Sequence, residues 1–178
     1  MSVIAAAWLL LGHPQTAPYS PKGPQIEVVL STGKKFVITT DPKWYPKTTE
    51  GILKLVKKGF YTGIKFHRVE DWVIQWGDPT SKKSVDEPGV GSGGSGTSLP
   101  FEGGPVQFER GVVGIASTGS GVGGDSQLFV MKKSNASLYS SYAVLGLVTK
   151  GMDVVDSIER GATITRMSVL GAAKKKKK

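Results

Sequence analysis

The sequence predicts a mainly β protein, an antiparallel sheet closed into a barrel and capped by two short helices. Three observations carry that expectation. Apolar and β-branched residues recur in runs of four to six bounded by turn residues, only two segments show helical spacing, and 24 Gly and 10 Pro in 178 residues supply the turns. A chain of this length fits one domain with a single core. The hydrophobic share of 39% and charged share of 21% are ordinary for a globular protein.

Taken in order, Val3 to Leu11 is a run of nine apolar residues, about half of what a membrane-spanning helix needs, so no transmembrane segment is expected. Its length suits the core of an export signal, but no Lys or Arg precedes it and Gln15-Thr16-Ala17 is a weak cleavage site. An export signal and an extension packed on the domain therefore both stand, and the compartment stays open, with export to a periplasmic space favoured over the cytoplasm. Gly12 to Pro24, with Pro14, Pro18, Pro21 and Pro24, reads as an extended linker into a domain expected over 25–170.

Ile26–Leu30 and Phe36–Thr39 flank the turn residues Ser31 to Lys35 and read as a hairpin. Thr48 or Thr49 is placed to cap a helix whose positions Ile52, Leu55, Val56 and Gly59 follow the i, i+3, i+4, i+7 rule, with Lys57 and Lys58 near its C-terminus. Strands follow at Lys65–Val69, Val73–Trp76, Val112–Ser117, Ser126–Met131 and Ala143–Val148, and a second helix at Met152–Glu159. Periodicity alone does not close such a sheet.

Composition removes several classes of function. No Cys is present, which excludes disulfides and thiolate zinc sites, and two His without clustered carboxylates argue against a catalytic metal. The net charge of +9 invites a nucleic-acid reading, yet five of the 23 basic residues are Lys174 to Lys178, leaving 18 against 14 acidic residues and a net charge of +4. The domain carries no basic stripe interleaved with aromatics, so specific nucleic-acid binding is not expected. The lysine tail over 171–178 reads as a solvated terminus. Gly119-Ser120-Gly121-Val122-Gly123-Gly124 matches a dinucleotide-binding pattern, but the β-type Leu128-Phe129-Val130 that follows opens no helix. No G-x-S-x-G elbow exists for a serine hydrolase. The sequon Asn135-Ala136-Ser137 matters only in a eukaryotic secretory setting.

The stretch from Phe66 to Thr80 sets a guanidinium (Arg68), an indole (Trp72) and a carboxamide (Gln75) on one short β-type run. Arg68 is a planar cation that does not usefully lose its proton, Gln75 supplies an amide donor and acceptor, and Trp72 an apolar wall. That trio suits chemistry without proton transfer. Taken alone, Arg68 would be a surface ion-pair partner of Glu70 or Asp71, His67 a packing residue, and Phe129, Val73 and Leu138 core residues.

The run closely resembles the F-H-R…F-x-I-Q-G-G-D-P/T signature of cyclophilins, the peptidyl-prolyl cis–trans isomerases. Arg110-Gly111-Val112-Val113-Gly114-Ile115-Ala116 with Ser126-Gln127-Leu128-Phe129-Val130 is similar to the family's R-G-x-x-x-M-A…S-Q-F-F-I, and Tyr142 to Ile158 resembles a third motif of bacterial-type members. Pro46 to Glu50 looks like the family's P-K-T-x-E helix start. The resemblance, spanning about Gln25 to Met167, implies eight strands, barrel closure, no cofactor and a site carried over position by position. Arg68, Gln75 and Trp72 would be catalytic. Val73, Ala116, Ser117, Gln127, Phe129, Leu138 and Tyr142 would bind substrate, with Trp72, Val73, Phe129 and Leu138 around the proline and Gln75, Gln127 and the Ala116 backbone on the peptide chain.

Departures from the pattern touch the rim. Arg68 and Gln75 stand one residue closer than in most members, Trp76 replaces a usual Gly, Ser117 a frequent Asn, and the loop from Ala116 to Gln127 is one residue longer. Ser137 falls in the region aligned with a Trp that eukaryotic members use for cyclosporin, which implies weak binding of that drug. The expected partners are proline-containing peptides and unfolded protein clients, and a monomer is expected. Two rivals stand beside the enzyme: a cyclophilin-fold module that binds proline peptides with little catalysis, and a basic-tailed adaptor for RNA or anionic membrane.

Overall fold

Alternation of apolar residues with a period of two builds the sheet, as seen in a computed structural model that describes residues 18–171. The expectations for the run Val3 to Leu11 and for Lys174 to Lys178 lie outside the described residues. In chain order the elements are β1 (Gln25–Leu30), β2 (Lys35–Thr40), α1 (Pro46–Lys57), β3 (Arg68–Val69), β4 (Val73–Trp76), β5 (Val112–Ile115), β6 (Leu128–Met131), β7 (Val144–Lys150), α2 (Met152–Asp156) and β8 (Ile164–Val169), with 3-10 turns at Pro79–Lys82 and Ala136–Leu138. All ladders are antiparallel, and the strand order is β3-β4-β6-β5-β7-β2-β1-β8.

The expected closed barrel is corrected by that order: the sheet is an open, curled half-barrel with β3 and β8 at its margins. The margins approach through the residues just before β3. Gly63 N donates to Ile164 O at 2.8 Å, Ile164 N to Ile64 O at 2.9 Å, Phe66 N to Ala162 O at 3.0 Å, and Lys65 makes one isolated bridge with Thr163. The expected strand Lys65–Val69 shrinks to Arg68 and Val69 at its N-terminal end, where Lys65 bridges Thr163 and Phe66 exchanges backbone bonds with Gly161 and Ala162 in place of a β4 ladder. Two residues are too few to ladder with both β4 and β8.

Other boundaries shift for local reasons. The first helix starts at Pro46, earlier than a Thr48 or Thr49 cap would place it, since proline needs no amide partner at the first helical position. Its free N–H groups are met by a distant carboxylate: Lys47 N and Thr48 N donate to Glu102 at 3.0 Å and 2.7 Å. The second helix ends at Asp156 instead of Glu159, and β5 ends at Ile115 instead of Ser117. β8 has no counterpart among the strands read from the sequence, because adjacent exposed Thr165 and Arg166 break its alternation.

Two apolar layers result, one on each face of the β4–β6–β5 region. Ile74, Trp76, Leu128, Val130, Val113 and Ile115 point into the hollow of the sheet, where Ile52, Leu55 and Val56 of α1 and Val155 of α2 join them. Val73, Phe129, Met131 and Val112 point the other way and form a second cluster with Tyr45, Val106, Phe108 and Val144.

Trp76, at a position where the resembling motif carries glycine, is 0% exposed and fills the inner layer. Its ring meets Phe36 edge-on at 6.2 Å and Phe66 at 5.1 Å. The next residue, Gly77 (φ 114°), must be glycine, since a Cβ there would lie 2.3 Å from Ser126 O. Trp76→Ala is expected to cost about 3–5 kcal/mol of unfolding free energy in a denaturant titration, the range for emptying a buried tryptophan site.

Candidate active site

The register of three neighbouring strands sets the site. Arg68 of β3 stands opposite Gln75 of β4, Gln75 opposite Phe129 of β6, and Phe129 opposite Gly114 of β5. Cross-strand neighbours share a face, so a guanidinium, a carboxamide and a phenyl ring form one row across the outer layer. Gly114 makes room for that row, because a Cβ there would lie 2.3 Å from Phe129 Cζ and 2.9 Å from Phe108 Cε1.

A cavity of about 270 Å³ opens over the row, lined by Arg68, Trp72, Val73, Gln75, Ala116, Ser117, Phe129, Leu138 and Tyr142. Nine of the ten residues singled out in the sequence thus meet around one hollow. The tenth, Gln127, lines an adjoining cavity of about 630 Å³ that shares Gln75, Ala116 and Ser117. The apolar floor is aromatic: Phe129 meets Tyr142 edge-on at 5.6 Å and stacks on Phe108 at 5.7 Å. Phe108 escaped the sequence reading, although Val106 and Phe108, both buried and two residues apart, show the strand-like spacing that could have flagged it.

Arg68 is held at the rim by two contacts. Its Nε donates to Glu70 Oε1 at 2.7 Å, and its Cζ lies 5.2 Å from the centre of the Trp72 ring. The surface ion pair and the site position are therefore both occupied by one side chain. The Nη groups have no hydrogen-bond partner among the described residues.

Behind Gln75 runs a polar chain that fixes its amide. Gln75 Nε2 donates to Gln127 Oε1 at 2.8 Å, and Gln127 Nε2 donates to Gly91 O and Gly93 O at 2.9 Å and 2.8 Å. The same glycine loop is pinned by Asp78, which accepts from Gly91 N at 2.6 Å, Gly93 N at 3.0 Å and Thr80 N at 2.8 Å. Burial pushes the Asp78 carboxyl up, but these N–H groups outweigh it and hold its pKa below the usual carboxylate value. Asp125 plays the same part for the next turn, accepting from Ser95 N at 3.0 Å and Gly96 N at 2.9 Å. Neither aspartate was given a role from the sequence, although Asp78 holds the Asp position of the signature within Phe66 to Thr80. No group of three or more metal-ligating side chains occurs among the described residues.

A cyclophilin-type peptidyl-prolyl cis–trans isomerase family model matches residues 26–174. The chain belongs to that family. Among similar proteins is a probable peptidyl-prolyl cis–trans isomerase of Brucella abortus (strain 2308), 37% identical over 169 residues that cover 90% of this chain and 85% of the relative. Peptidyl-prolyl cis–trans isomerase B of Bacillus subtilis (strain 168) is 32% identical over 146 residues, 80% of this chain and 96% of the relative. In fold, the cyclophilin resembles a cyclophilin-type isomerase of Cryptosporidium parvum, with a TM-score of 0.70 at 22% identity over 83% of this chain and 98% of the other. A second structure of that parasite protein, solved in the presence of the dipeptide Ala-Pro, gives a TM-score of 0.68 at 22% identity, covering 82% and 98%.

His67, next to Arg68 in this cyclophilin, has neither ring nitrogen hydrogen-bonded among the described residues, and its ring lies against Gly91. Burial is the largest effect and pulls its pKa below 6.5; Asp78 opposes, while Arg160 and Arg68 add to the lowering. The unfolded chain then binds a proton at this site more readily than the folded one, so the contribution to stability is present above the unfolded pKa and declines as pH falls through it. Thermal melts between pH 7.5 and 5 are expected to show such a decline, reduced in His67→Phe. An unchanged slope in the variant would assign the decline to other groups.

Proposed function

We propose that this chain catalyses cis–trans isomerisation of X–Pro bonds in flexible or unfolded polypeptides, with Arg68 as the transition-state donor. Rotation about a peptide bond faces a barrier of about 18–20 kcal/mol, because the C–N bond has partial double-bond character. Twisting breaks that conjugation and leaves the imide nitrogen pyramidal, with a lone pair that neither planar state offers. A donor aimed at that lone pair stabilises the twisted state selectively, which is the requirement for catalysis.

The observation that carries the reading is an arginine whose Nη groups have no partner among the described residues, at the edge of a hollow with an apolar floor. Trp72, Val73, Phe129, Leu138 and Tyr142 would seat the pyrrolidine ring by burying its apolar surface, with Arg68 at the rim facing the proline nitrogen. Gln75, Gln127 and the Ala116 and Ser117 edge would hold the peptide chain, and the larger neighbouring cavity would take residues on the N-terminal side of the proline. No acid, base, nucleophile or cofactor enters the step. The solved relative in the presence of Ala-Pro supports a proline-containing ligand. Exposed Ser137, beside the hollow, offers no aromatic wall, which supports weak cyclosporin binding.

In a protease-coupled assay on a proline peptide, Arg68→Ala is expected to lower kcat/KM by at least about 100-fold, the scale for one lost transition-state donor, with the fold intact by circular dichroism. Near-parental turnover would refute Arg68 as the transition-state donor and leave the isomerase activity to be carried by other groups around the hollow.

A further inference from the structure

The contact between Glu70 and Arg68 lies at the rim of the hollow, on a segment built more rigidly than a surface ion pair needs. Glu70 sits in the tight turn between β3 and β4, closed by Glu70 N donating to Val73 O at 2.9 Å. The turn is tied to the end of β6 by Lys132 Nζ on Glu70 O at 3.1 Å, Lys133 Nζ on Asp71 Oδ2 at 2.7 Å, and Lys132 N on Trp72 O at 2.8 Å. The carboxylate therefore leaves a fixed backbone, and it grips the Nε edge of Arg68.

Which edge is gripped decides what the contact can do. A carboxylate that forked both Nη groups would compete with substrate for the donors. A bond at Nε, with the Trp72 ring against the guanidinium, fixes the plane and the direction of the group and leaves both Nη groups available. The Arg68 hydrogen bond, its largest influence, holds the Glu70 carboxyl below its ordinary range, so the partner is an anion at neutral pH.

We propose that Glu70 is a positioning residue for isomerisation: it orients the Arg68 guanidinium before substrate arrives, and so contributes to kcat without touching the peptide. The inference rests on the reading of Arg68 as the transition-state donor. An arginine left to wander would have to be ordered at each turnover, and the ordering cost of one rotamer-rich side chain sets the size of the effect.

The test compares parent, Glu70→Gln, Arg68→Ala and the double variant on one proline peptide, with kcat and KM separated and the Arg68 Nε–H signal followed by NMR. Glu70→Gln is expected to lower kcat about three- to tenfold with KM within about twofold, and to move the Nε–H signal toward that of a free arginine. In the Arg68→Ala background the same substitution is expected to change nothing further, as coupling through Arg68 requires. An unchanged or raised kcat in Glu70→Gln, alongside an inactive Arg68→Ala, overturns the positioning role and leaves Arg68 in place. An Arg68→Ala variant as active as the parent overturns both.

Discussion

The ladder of β3, β4 and β6 is the constraint on which everything else in the site depends. One register brings Arg68, Gln75 and Phe129 into a row, although the last two are far apart in sequence. A slip of one residue would turn the row into the core and bring Ile74 and Val130 out, since successive side chains alternate faces. The inner layer prevents that slip. Trp76, Leu128 and Ile115 are buried in this register, so the packing that stabilises the sheet also places the face that lines the hollow.

Electrostatics around the hollow hold groups in place, and none is arranged for proton transfer. Asp78 and Asp125 spend their lone pairs on backbone N–H groups of the glycine loops. Gln127 ties those loops to Gln75, and Glu70 ties the turn to Arg68. Loops rich in glycine lose much conformational freedom when ordered, and charge-assisted bonds from two carboxylates offset that loss. The wall of the larger cavity owes its shape to these anchors, because glycine side chains contribute nothing.

Much of this was legible in the sequence, and the rest was hidden for physical reasons. Alternation marked β4, β5 and β6 because each has two dissimilar faces, and the motifs named the pocket-lining residues. Closure of the barrel was not legible, since it depends on whether residues 63–66 ladder with β8, and they make only scattered bonds and one isolated bridge there. Phe108 was missed because the Val106–Phe108 alternation is too short to mark a strand, and the two residues belong to none. The cap on α1 was missed because its carboxylate, Glu102, comes from a loop more than fifty residues away. Trp76 read as a perturbation of the rim, yet the strand period turns it inward, away from the hollow.

Chemical-shift mapping with a short Ala-Pro-containing peptide tests the central claim most directly. The row and its cavity predict saturable shifts centred on Arg68, Trp72, Gln75, Ala116, Phe129 and Tyr142, with cis–trans exchange of the peptide accelerated at substoichiometric protein. Shifts confined to another hollow, such as the cleft between Tyr19 and Trp44, would contradict the account, as would saturation of the predicted cavity without faster exchange.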